Sequence, residues 1–121
     1  MNPNNKLDLE LRPSDVQAIL SALALVANAE TGDVFQDRAN FLACKTAGEK
    51  LAHKKRDFTA NEVRVMYLAI GGALDVIEGR QDSFVSPQDV DADWLAGLKQ
   101  NFFTYNRLFP HFSALFEIYN R

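Results

Sequence analysis

The residues able to do chemistry are few and dispersed along this chain. Asp89, Asp91 and Asp93 reproduce the D-x-D-x-D opening of a calcium-binding EF-hand loop. The sixth place of that loop holds Trp94 where a glycine is needed, and the twelfth holds Gln100 where a bidentate glutamate is needed. The three acids suit instead the positive end of a helix. Glu49 and His53 stand one helical turn apart and could share a proton or a metal, but two ligands do not make a metal site, and an exposed ion pair explains the same spacing. No metal and no cofactor are therefore expected.

Cys44 is the lone cysteine, and as a nucleophile it would need a neighbouring base. His53 follows nine residues later, which turns it to about the opposite side of the same helix. Only His111, brought in by the fold, could serve, so a buried structural thiol is the expectation. The one basic run, His53-Lys54-Lys55-Arg56, invites a nucleic-acid reading. Against it, 13 Lys and Arg face 16 Asp and Glu for a net charge of −3, no reading-helix motif is present, and cations at a helix C-terminus are favoured by its dipole anyway. Gly71-Gly72 has no phosphate-loop frame around it. No set of acid, base and nucleophile can be assembled from neighbouring sequence, so an enzyme ranks last, as a site formed only in three dimensions.

What could position such groups follows from length and patterning. A chain of 121 residues with 47% hydrophobic and 24% charged content fits one globular domain with a real core. A single cysteine, no apolar export segment at the start and no uncharged stretch long enough to cross a bilayer point to the cytoplasm and away from a membrane. Lys6 to Arg12 alternates leucines with charges, which predicts an extended arm over 1–13, able to pair with 83–86.

Helical signals follow in series. Ser14 with Gln17 predicts a helix over about 15–30, closed by Thr31-Gly32. A second, over 33–56, has a small-residue side of Ala43, Cys44, Ala47, Gly48 and Leu51, while Phe35 and Leu42 lie near its polar side as candidates for a second contact. Thr59 and Glu62 form a capping box, with Phe58 as its staple, opening a central apolar helix over 60–78. Ser86-Pro87 predicts a start for 87–108, and Pro110 predicts a kink or break before 110–120.

Across those last segments, Leu95, Leu98, Phe102, Tyr105, Phe109, Phe112, Phe116 and Tyr119 fall at alternating steps of three and four, one helical face rich in rings. It can be plain core, an interface, or the wall of a pocket with Tyr67, Tyr105 or His111 as polar handles. The sequence thus predicts an all-α, compact four- to five-helix bundle with an extended N-terminal arm. Excess apolar surface points to a homodimer. The function expected is non-catalytic: self-association, and binding of a protein partner, through the aromatic helix. Its candidate residues are Tyr67, Phe103, Tyr105, Phe109, His111, Phe112 and Phe116. The alternative is a small-molecule pocket between 60–78 and 94–119.

Overall fold

The computed structural model describes residues 11–80 and 90–120. They form five helices and no strand: α1 (Pro13–Ala27), α2 (Val34–Ala52), α3 (Ala60–Glu78), α4 (Ala92–Gln100) and α5 (Phe102–Tyr119). Of the arm expected over 1–13, residues 1–10 lie outside the described residues, as do its pairing with 83–86 and the Ser86-Pro87 start, and Pro13 belongs to α1 instead.

Helix α1 opens one residue before Ser14, a correction to the expected cap. Pro13 occupies the first turn, where its missing N–H costs nothing, and the Asp15 carboxylate reaches back to accept from the Arg12 amide at 3.0 Å. The helix closes at Ala27, earlier than Thr31-Gly32, because the Asn28 side chain donates to the Ala24 carbonyl at 2.9 Å. Gly32 serves the loop that follows, at φ +90°.

Asp33 caps α2 by accepting from the amides of Phe35 and Gln36 at 3.0 and 3.2 Å. The far end is a Schellman closure: Lys54 donates from its amide to the Leu51 carbonyl at 3.2 Å, and Lys55 to that of Lys50 at 2.8 Å. Lys54 adopts φ +58°, the only non-glycine residue at positive φ among those described, at a cost of about 1 kcal/mol that glycine would avoid. The small side of α2 is turned inward, with Ala43, Cys44, Ala47 and Leu51 all buried.

The capping box at α3 forms as its spacing predicts: Thr59 Oγ1 accepts from the Glu62 amide at 3.2 Å and Glu62 Oε1 from the Thr59 amide at 2.8 Å. Gly79 closes the helix in the left-handed conformation. Val63, Val65, Met66, Ala69, Ile70 and Ala73 have no solvent exposure, because α1, α2 and α5 pack on different sides of this helix. A Cβ at Gly71 would lie 3.1 Å from the Phe109 ring, so the glycine admits a ring that alanine would push back.

Asp91 caps α4, which begins at Ala92. The interruption in the aromatic segment falls at Asn101, and Pro110 does not end α5, which continues to Tyr119 with Pro110 on its exposed side. The Tyr105 hydroxyl donates to the Ala18 carbonyl at 2.7 Å and the Trp94 indole to that of Ser21 at 3.3 Å, fixing the C-terminal pair of helices on α1. Arg107 pairs with the buried Asp15 on the same seam.

Lys50 Nζ to Glu62 Oε1 at 2.7 Å joins the end of α2 to the start of α3. Burial opposes ionisation of Glu62, but donation from Lys50, Thr46 and the Thr59 amide outweighs it and holds the carboxyl below its usual 4.5. Stability from Glu62 is thus full above pH 4.5 and is lost as pH falls through the lower folded value. Glu62→Gln is expected to cost about 2 kcal/mol at pH 7 and to flatten the acid limb of stability against pH. Urea titrations of both proteins across that range check it; an unchanged acid limb contradicts the assignment.

Candidate functional site

The aromatic face is spent mostly on the interior. Leu98, Tyr105, Leu108 and Phe112 are fully buried, and burial pushes the Tyr105 hydroxyl up to about 12 despite hydrogen bonds with Ser21 and Asn101. Tyr67 stacks with Phe109 and Phe116, ring centres 5.5 and 4.8 Å apart, and all three are half-buried. His111 is exposed, and Phe103 is exposed with its neighbour Phe102 edge-on to it.

A cleft of about 390 Å3 does lie between α3 and α5, bordered by Tyr67, Gly71, Asp75 and Phe109. Its acids are already engaged, since Arg80 pairs with both Asp75 and Glu78. Nor do the dispersed ionisable groups converge. His53 Nδ1 lies 2.8 Å from the Glu49 carbonyl rather than against an acid, and no group of three metal-ligating side chains occurs among the described residues. Asp91 caps α4 and Asp93 lies in its first turn, while Asp89 lies outside the described residues.

Apart from Phe103, the large exposed apolar side chains among the described residues gather on α2. Phe35 is 87% exposed, Val34 78%, Phe41 51% and Leu42 44%. Two neighbours recur after seven residues, so at 100° per residue the four occupy an arc of about 120°. Arg38 and Lys45 project from the middle of that arc, and neither makes an ion pair among the described residues. The residue pattern alone singled out Phe35 and Leu42. Val34 and Phe41 escaped notice because an otherwise polar helix masks the heptad spacing that links them.

This face is rigidly set. Asp37 Oδ1 accepts from the amide and the hydroxyl of Thr31 at 2.9 and 2.7 Å, which together with the Asp33 cap holds the turn carrying Val34 and Phe35. Asn40 Oδ1 accepts from Gln36 at 2.9 Å and from Arg64 of α3 at 2.9 Å, locking the rotation of α2 about its axis. A hydrophobic face held this way is shaped for contact before any partner arrives. Among the described residues no helix is long and apolar enough to cross a membrane.

Comparison with family models, curated proteins and solved structures returns no match for the chain.

Cys44 is buried on the inner side of α2, and burial pushes its thiol up to about 11 against a lowering influence from Arg64. At pH 8 a disulfide reagent should label the native protein at least a hundredfold more slowly than the urea-unfolded chain. Rapid native labelling would show a reactive cysteine instead.

Proposed function

We propose that this protein acts without catalysis, by docking an acidic amphipathic helix of another protein on the outer face of α2. The observation that carries this reading is the exposure of Val34, Phe35, Phe41 and Leu42 on one rigidly held helix, while most of the aromatic segment is taken into the core. Fully covering one such side chain is worth about 1.5–3 kcal/mol, so the four give a gross gain of several kcal/mol against the entropic cost of docking, and the balance depends on the charge pairing across the face.

Charge selects the occupant. An antiparallel second copy, placed so that Phe35 of each chain meets Phe41 of the other, also sets Arg38 against Arg38, two like charges brought together while losing water. A helix of another chain carrying acids seven residues apart meets Arg38 and Lys45 in turn, with its own leucines over the flanking apolar pairs. The small-molecule reading keeps the α3–α5 cleft in its favour, but Asp75 and Glu78 there are paired and Tyr67 is stacked.

A fluorescent helical peptide with glutamates at i and i+7 and leucines between them should bind saturably. Phe35→Asp or Arg38→Glu should weaken it at least tenfold and leave the melting temperature within a degree or two, since both side chains are exposed. Equal binding of a lysine-for-glutamate peptide, or no saturable binding, refutes the reading. A dimer in light scattering that Phe35→Asp turns into a monomer would assign the face to a second copy.

A further inference from the structure

A second surface feature, different in character from the outer face of α2 and independent of docking there, lies where the start of α1 meets the end of α2. A cleft of about 560 Å3 opens there, within the size range of small-molecule sites. Its wall is aliphatic, from Leu11, Val16, Leu20 and Leu51. Its other side is the basic run, with Lys54 and Lys55 among the lining residues and Arg56 beside them. Leu20 of α1 lies against Gly48 of α2 just before the cleft.

The backbone adds an independent observation. Lys54 occupies the left-handed position of the Schellman closure, at φ +58°, where glycine would serve the helix end better. That position falls at a residue that lines the cleft, so the side chain glycine would lack there is a cation beside the aliphatic wall. Lys54 and Lys55 make no ion pair among the described residues, so their ammonium groups are not committed within them. In a chain of net charge −3 the cluster is a local inversion of sign, suited to a small anion rather than to a polyanion.

An aliphatic wall with cations on one side matches a ligand with a hydrocarbon body and one negatively charged end. We propose that this cleft binds an aliphatic carboxylate, its chain against Val16, Leu20 and Leu51 and its carboxylate between Lys54 and Lys55.

Dodecanoate below its micellar concentration, titrated calorimetrically into the full chain at pH 7.5, should bind at one saturable site and raise the melting temperature. Lys54→Gly separates binding from folding. It should leave the unliganded protein as stable or more so, while weakening dodecanoate at least tenfold. Lys55→Ser should weaken it similarly and serves as the second variant, and dodecanol should bind the native chain at least tenfold more weakly than dodecanoate. The proposal is overturned if dodecanol binds as well as the carboxylate, or if both variants bind as the native chain does. Absence of saturable binding to the full chain overturns it too, leaving the cleft to solvent.

Discussion

Burial of α3 from several sides at once is the constraint on which the rest of the architecture depends. Its residues from Val63 to Ala73 include six with no exposure at all, and that requires α1, α2 and α5 each to present a complementary surface to a different sector of the same helix. At roughly 25 cal/mol per Å2 of apolar surface removed from water, a helix surrounded in this way contributes strongly to stability. The demand consumes the rings of α5. Tyr105, Leu108 and Phe112 are drawn inside and Phe109 is seated over Gly71, while Phe103 stays exposed on the same helix.

Polar side chains determine how the surrounding helices are registered, because apolar contact alone is not directional. Two seams carry charged or strongly polar side-chain ties: Asp15 with Arg107 between α1 and α5, and Lys50 with Glu62 and Asn40 with Arg64 between α2 and α3. Hydroxyl and indole donors from Tyr105 and Trp94 end on α1 carbonyls, whose second lone pairs are free to accept within a helix. No buried side-chain polar atom among the described residues lacks a partner, so these ties carry no desolvation penalty left unmet. With its inner side so committed, α2 has one direction left for its apolar residues, outward.

Local signals were readable where a short-range interaction decides the outcome. Thr59, Glu62, Phe58 and Gly79 act within one turn of themselves, and the ends of α3 follow from them. Where competing local interactions exist, the residue types underdetermine the result: Ser14 is a good cap, but with Pro13 in the first turn and Asp15 accepting from the Arg12 amide the cap falls at Arg12, two residues earlier. The heptad phase runs unbroken from Leu95 to Tyr119, so it carried no mark of the interruption at Asn101, while Pro110 marked a place where an exposed side and a missing donor are tolerated. The site was legible only in part. Phe35 and Leu42 stood out against a polar helix, but whether the ring-rich stripe would be core or surface depends on how much of α3 remained uncovered, which is a tertiary quantity. Lys54 gave no signal, since the left-handed place at a helix end is ordinarily held by glycine.

Native-state hydrogen exchange tests the central claim most directly, because it reads the free energy needed to expose each helix. If α3 and α5 are mutually buried, amides of residues 65–73 and 105–112 exchange only through one shared opening, with the same denaturant dependence as global unfolding. Exchange of residues 105–112 through a smaller, separate opening while 65–73 stay protected would show the aromatic helix to be an appendage, and would contradict this architecture.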